Sequence, residues 1–364
     1  MPPMPPKRKR QSLRESASFS VNSGPTGTPP RRKACLQCFE AKSSYEHKCA
    51  ARRSSEYTLY TAERSKTSFN APAAASNRDA AAAQATNIDL LCTVDASRVR
   101  DRWLEGWVPR PGQQPKELRR GTAVFIHGVL KTYPQVLCRG DFPPIVHGLQ
   151  RVGRKLPRTL ENCASIARMW EGQVGAGVIC IVQRQKYDPF ALLAAFQAYI
   201  MYVTLLLDPS AEPVVPQSIM LDLQDFAHTI ALTGLEHPWE RPAAPQRPPW
   251  RAWALAEAKR RSLFAMYMLD DVVNTFSSQS CILGDELADL LAPCSAKLWG
   301  ADDESAWRRL YDVHVGEWEG GGLRLGELWP STGTKDEERV GAWVRDMDAL
   351  GMVIFSVTTA TQYK

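Results

Sequence analysis

Phe190 to Leu207 reads FALLAAFQAYIMYVTLLL, eighteen residues of which only Gln197 and Thr204 are clearly polar. The fold class turns on whether this run crosses a bilayer or fills a protein core. A hydrocarbon core needs about twenty apolar residues, so the run sits at the lower limit. Its flanks favour the core. Asp188-Pro189 before it reads as a helix cap with proline in the first turn, and Asp208-Pro209 after it reads as a stop. No basic cluster flanks the run directly and two tyrosines lie inside it, so a buried helix is expected and no membrane partner.

Outward from this helix the pattern stays helical. Towards the N-terminus, Thr159–Glu171 and the apolar run Thr122–Tyr133 precede it, and Ser97–Leu104 forms a short helix with Ser97 as its expected cap. Towards the C-terminus, Ser218–Leu232 ends at Gly234, in the usual stop position. The proline-rich stretch from His237 to Trp250 reads as a loop. Glu257–Phe276 is the best amphipathic segment. Leu263, Tyr267, Val273 and Phe276 share a broad face beside Phe264 and Met266, and Glu257, Lys259, Arg260 and Arg261 open it with charge. Helices over Glu304–Tyr311 and Val340–Thr359 follow. Strand signals are few and no repeat is visible, so residues 88–364 read as one large all-α domain.

The front of the chain is different. Residues 1–70 hold fourteen Lys or Arg against five Glu, a net +9, so within the total of +6 the remaining residues sum to −3. A basic arm ahead of a mildly acidic body suits a partner with a phosphate backbone, although a solvated tail has the same composition. Residues 1–34 lack the large aliphatic side chains needed to offset chain entropy and are expected to be disordered. Lys7-Arg8-Lys9-Arg10, with Arg31-Arg32-Lys33 after a spacer, reads as a nuclear import signal, a phosphate-binding arm, or both. Residues 59–87, ending in the Ala80–Ala85 stretch, read as a linker.

Nine cysteines are present. Cys92, Cys138, Cys163, Cys180, Cys281 and Cys294 stand in apolar surroundings and are expected to act as small core hydrophobes in a reducing compartment. Residues 35–58 carry the other three. Cys35-Leu36-Gln37-Cys38, inside RRKACLQCFEAK, has a spacing that chelates a metal from a tight turn. It also occurs in redox pairs, and the two thiols can simply be unliganded. The acidic run Asp285-Glu286-Leu287-Ala288-Asp289 reads as a solvated helix start, Arg260 and Arg261 as partners of carboxylates such as Asp270, Asp285 or Glu286, and Trp239, Trp250, Trp253, Trp299 and Trp307 as core and loop anchors. The chain has no G-x-S-x-G, H-E-x-x-H, P-loop or strand-borne G-x-G-x-x-G, so no enzyme is expected.

RRKACLQCFEAK resembles the opening of fungal binuclear zinc-cluster regulators, in which Ala-Cys-x-x-Cys is followed by a basic residue, here Lys42. In that family six cysteines hold two zinc ions and a short helix presents basic side chains to the major groove. The body resembles the regulators of this type found beside fungal secondary-metabolite genes. The resemblance rests on Cys92–Asp95, Arg98–Trp103, Pro111–Gln113, LENCASIARMW at 160–170, WALAEAKRRSLFAMYMLD at 253–270, Asp285–Leu290, Pro293-Cys294, Leu298-Trp299, Met352–Phe355 and Thr358–Thr361. It covers most of residues 88–364 and implies a helical regulatory domain behind a disordered basic arm and a degenerate zinc-cluster segment.

The resemblance further implies a nuclear transcription regulator that contacts promoter DNA through Arg31, Arg32, Lys33, Lys42, Lys48, Arg52 and Arg53. Pairing as a homodimer, or as a heterodimer with another zinc-cluster regulator, is the second partner it suggests. The implied metal is zinc, on Cys35, Cys38 and Cys49. Here the sequence departs from the pattern. Tyr45 stands at the place of the third ligand, Glu46 at the place of the expected partner of Cys49, and Ser55 at the place of the last ligand. Three thiolates cannot build a six-thiolate cage, so a single zinc shared with His47 is the chemically allowed remnant. The alternative function is an interaction module that no longer reads DNA and pairs with, or inhibits, an intact relative.

Overall fold

Asp188 and Pro189 open the apolar run as a helix, as the flanks predict. The computed structural model describes residues 88–113, 115–151, 155–172, 188–241, 247–318, 320–329, 337–360 and 362–363, all within the unit 77–364. In chain order the helices are α1 (Ala96–Glu105), α2 (Arg120–Cys138), α3 (Arg158–Gly172), α4 (Pro189–Leu206), α5 (Gln217–Leu232), α6 (Trp250–Phe276), the single turn α7 (Ala296–Trp299), α8 (Glu304–Glu317), α9 (Glu337–Asp346) and α10 (Ala349–Ala360). Helix accounts for 65% of the interpretable residues and strand for 4%, so the mainly helical class stands.

Helix α4 packs against α2, α3, α5 and α6. The Asp188 carboxylate accepts the Ala191 N–H at 3.3 Å, and Pro189, which has no N–H to lose, fills the first turn. Both polar members of the run are satisfied inside the core. Gln197 Nε2 donates to Ile145 O (2.5 Å) and Ser262 Oγ (3.1 Å), and Gln197 Oε1 accepts from Gln150 Nε2 (2.7 Å). Thr204 Oγ1 donates back to Ile200 O at 2.8 Å. By length and composition α4 is the one helix among the described residues that could cross a membrane, and 72% of it is buried in the protein.

Helix α6 runs for 27 residues, about 40 Å at 1.5 Å per residue, and touches α2, α4, α5, α8 and α10. It begins at Trp250, directly after Pro248-Pro249, rather than at Glu257. Lys259, Arg260 and Arg261 therefore lie in its third turn, and they are buried on every side rather than forming a charged opening. Lys259 Nζ donates to Thr233 O (2.9 Å), Thr233 Oγ1 (2.9 Å) and Gly234 O (3.1 Å), closing the carbonyl end of α5. Burial pushes this ammonium down to about 7.

Gly234 has φ +86°, and a Cβ there would lie 2.4 Å from Leu90 Cβ and 2.5 Å from the Leu90 carbonyl. The stop position thus also admits the incoming segment 88–91, which is pinned by Leu91 N–H to Glu236 O (2.7 Å) and Leu235 N–H to Leu91 O (2.8 Å).

Other expectations shift locally. The cap of α1 is Asp95, whose carboxylate accepts both the Ser97 N–H (3.0 Å) and the Ser97 hydroxyl (2.6 Å), so the serine donates to the cap instead of being it. Helix α8 continues six residues past Tyr311, to Glu317. The C-terminal segment is two helices, because Asp348 interrupts it and accepts the Gly351 N–H (3.0 Å) at the start of α10. A small antiparallel sheet of order β2-β1-β3 joins β1 (Pro115–Glu117), β2 (Cys281–Ile282) and β3 (Gln362–Tyr363), with Lys116 opposite both Cys281 and Tyr363. Cys163 and Cys281 are buried and Cys138 and Cys294 half-buried, whereas Cys92 is exposed; Cys180 lies outside the described residues.

Candidate functional site

Two clusters of buried charge hang on α6, one near each end, and only one of them faces open space. Near the C-terminal end, Arg102 of α1 enters the core between Asp270 (3.0 Å) and Asp271 (3.1 Å), donates to Ile282 O (3.0 Å), and stacks on the Tyr267 ring at 4.0 Å. Lys116 of β1 reaches Asp271 at 2.5 Å, and Tyr267 donates its hydroxyl to Glu286 at 2.5 Å. Arg98 pairs with Asp285 and, at 3.0 Å, with Glu286. The acidic run does open a short 3-10 helix, Asp285–Leu287, with Asp285 and Asp289 exposed as expected, but Glu286 is buried in this network. Four carboxylates face three cations, and Asp270 carries the imbalance. Burial raises its carboxyl to about 7, with Asp271 adding and Arg102 opposing.

Near the N-terminal end, Trp253, Glu257 and Arg260 lie on one face of α6, at the floor of an open cleft of about 1100 Å³. Glu257 accepts from Arg260 Nη2 (2.7 Å), Arg261 Nε (2.7 Å) and the Cys294 N–H (2.9 Å). Burial pushes the Glu257 carboxyl up, but Arg261 and Arg260 outweigh it and hold the group near 2. Arg260 also donates to Leu235 O (2.8 Å) and to Glu240 (2.9 Å), and its Nε has no partner. Arg261, behind the floor, donates to Pro144 O (3.2 Å), Cys294 O (3.1 Å) and Asp348, and lies 4.2 Å over the Trp299 ring. The two arginines do pair with carboxylates, but with Glu257, Glu240 and Asp348, because they start further along α6 than their expected position.

The cleft walls come from α8 and α9. Trp307, Tyr311 and His314 follow one another on a stripe of α8, and Trp318, directly after the helix, continues it. Trp307 and Tyr311 rings lie 5.0 Å apart, Tyr311 and His314 6.1 Å, and His314 and Trp318 6.1 Å. Trp307 is sealed inside against Trp253, whereas Tyr311, His314 and Trp318 line the cleft. Burial lowers the His314 imidazole, so its ring is neutral at physiological pH. Trp343 of α9 closes the far side and donates its Nε1–H to Pro293 O at 2.8 Å. Of the tryptophans expected as anchors, Trp253 and Trp307 are core, while Trp239 is over one-third exposed at the rim.

Lys7, Arg8, Lys9, Arg10, Arg31, Arg32, Lys33, Cys35, Cys38, Lys42, Lys48, Cys49, Arg52 and Arg53 all lie outside the described residues. Among the described residues no group of three or more His, Cys, Asp or Glu is arranged to hold a metal ion. Sequence reading missed the cleft. Its one visible signal was the aromatic stripe 307–311–314–318, which runs past the expected end of its helix at Tyr311. No family model, no curated protein and no solved structure matches this chain.

Proposed function

We propose that the chain is a DNA-binding transcription regulator acting in the nucleus, with the control of a fungal secondary-metabolite gene cluster as its role. The observation that carries this reading is a net +9 front end with RRKACLQCFEAK at its centre, joined to a body with the motif set of such regulators. The body supports it by its mainly helical class and by the fate of its central basic residues. Arg102, Arg260 and Arg261 are buried in internal ion pairs and Lys259 is buried against the end of α5, so none of these four is offered to a phosphate. With three cysteines in the cluster segment, base reading through a two-zinc module is lost and phosphate contacts dominate.

Gel shifts of the full chain on promoter fragments over a salt series test the reading. Binding that weakens steeply with salt, and that fails when Arg31, Arg32 and Lys33 are all changed to Gln, is expected. An absence of any shift at low salt refutes it. A second reading is favoured by Tyr45, Glu46 and Ser55 standing where ligands belong: a module that pairs with, or inhibits, an intact relative. Metal content per chain separates the two, since a chain free of zinc that binds no DNA but co-purifies with a six-cysteine regulator fits only the second.

A further inference from the structure

We infer that the cleft between α6, α8 and α9 binds an uncharged, planar aromatic small molecule carrying hydroxyl or carbonyl groups. The inference stands on the body alone and holds whether or not the arm reads DNA. About 1100 Å³ of open space is ample for a small organic ligand, and aromatic rings stand on several of its sides. Trp253, Tyr311, His314, Trp318 and Trp343 all line it, from three different helices and the turn that follows one of them. Aromatic walls on several sides favour a flat π-system over a branched aliphatic one, because stacked and edge-on contacts add to simple burial.

The polar groups present select the ligand's charge. Glu240 and Glu257 in the floor are already neutralised by Arg260 and Arg261, at 2.7 to 2.9 Å. The lining as a whole carries as many acidic as basic side chains. In the floor a charged ligand would meet no uncompensated partner and its desolvation there would go unrepaid, while Lys297, Glu317, Glu338, Arg345 and Asp346, which also line the cleft, are exposed, solvated and of both signs. What remains available is neutral hydrogen bonding. The Tyr311 hydroxyl and the His314 ring have aromatic neighbours but no hydrogen-bond partner among the described residues, and both are held in their uncharged forms by burial. Arg260, 1% exposed and in the floor, keeps one unpartnered donor at Nε. Donor and acceptor groups at the edge of an aromatic ring answer these.

The glycine run 320–322 keeps the cleft open beside His314. A Cβ on Gly322 would lie 3.1 Å from the Leu291 Cδ2 and 3.9 Å from the His314 Nε2, so a larger side chain there fills the space against a movable methyl group rather than against backbone. Gly322→Leu is thus a plug.

The test is calorimetric titration of the full chain with four probes: 2-naphthol, naphthalene-2-sulfonate, 2-naphthylmethylammonium and decahydro-2-naphthol. One equivalent of 2-naphthol should bind, about tenfold more tightly than each of the two charged probes and the saturated alcohol. Gly322→Leu should weaken 2-naphthol binding about tenfold or more with the melting temperature unchanged. Tyr311→Phe should weaken 2-naphthol but leave unsubstituted naphthalene as it was. The inference is overturned if 2-naphthol does not bind, if decahydro-2-naphthol binds equally well, or if a folded Gly322→Leu protein binds unchanged. Should Gly322→Leu fail to fold, Tyr311→Phe decides: equal affinity for 2-naphthol in variant and parent overturns the assignment.

Discussion

Replacing Glu257 by Gln should cost the body about 3 kcal/mol, a figure reached by two routes. Glu257 sits between two guanidiniums from consecutive residues, all three side chains at most 2% exposed. Its carboxyl is held near 2 against an ordinary 4.5. At 1.36 kcal/mol per pKa unit, that gap is worth about 3 kcal/mol. Removing one partner from a buried ion pair costs roughly 3–5 kcal/mol in general, and the glutamine amide keeps the shape and an oxygen for the Cys294 N–H, so the lower end applies. For a body of this size the melting temperature should fall by about 6–12 °C.

The sign with pH is fixed too. The unfolded chain takes up the Glu257 proton near 4.5 and the folded chain only near 2, so this stabilisation is complete above the upper value and lost as pH falls through the interval. Urea unfolding of parent and variant, followed by helical circular dichroism, should show the full difference at neutral pH and less than half of it at about pH 3. A variant within about 1 kcal/mol of the parent at neutral pH, or a difference that does not narrow in acid, refutes the view of Glu257 as the ionised hub of the cluster.

The other cluster should respond in the opposite sense. Asp270, raised to about 7, holds a proton in the folded state that the unfolded chain releases near 3.8. Stability should therefore decline as pH rises between these values, and Asp270→Asn should flatten the decline; an unchanged urea-midpoint profile in the variant would count against a protonated Asp270. Gly234→Ala combines a left-handed backbone with a Cβ 2.4 Å from Leu90, so a loss of about 2 kcal/mol or more is expected, with faster proteolysis near residue 90 than elsewhere in the body. Proteolysis and melting like the parent's would show that segment 88–91 is not held at this turn.

Helix positions were legible because apolar spacing and local caps are short-range signals. The Asp188-Pro189 start and the Gly234 stop are both read from neighbouring residues, and both are found. What escaped was set by distant residues. Arg261 looks like a surface cation from its neighbours, and it takes distant partners such as Cys294, 33 positions away, Asp348, 87 away, and Pro144, 117 away, to make it a core residue. Arg102 likewise depends on Asp271, 169 positions on. Charge in a sequence window reads as exposure, so the true start of α6 at Trp250 was passed over in favour of Glu257, although Pro248-Pro249 marks it. The cleft was hidden for the same reason, since its aromatic walls and floor come from segments that meet only in the folded chain.

These pairings bear on how the two ends of the chain divide their work. A surface salt bridge contributes little and breaks easily, whereas a guanidinium inside a core must keep its carboxylates or be strongly destabilising. Helix α6 therefore cannot lend Arg260 or Arg261 to an outside phosphate without unfolding its own surroundings. Their charge is committed to holding Leu235, Glu240 and the segments around Cys294 and Asp348 against one helix, while Lys259 holds the end of α5 and Arg102 ties α1 to that same helix. Under the proposed function, phosphate affinity is then sought in the front of the chain, where residues 1–70 carry +9. Charge changes in the arm should shift salt dependence while leaving the melting temperature alone, and charge changes in α6 should do the reverse.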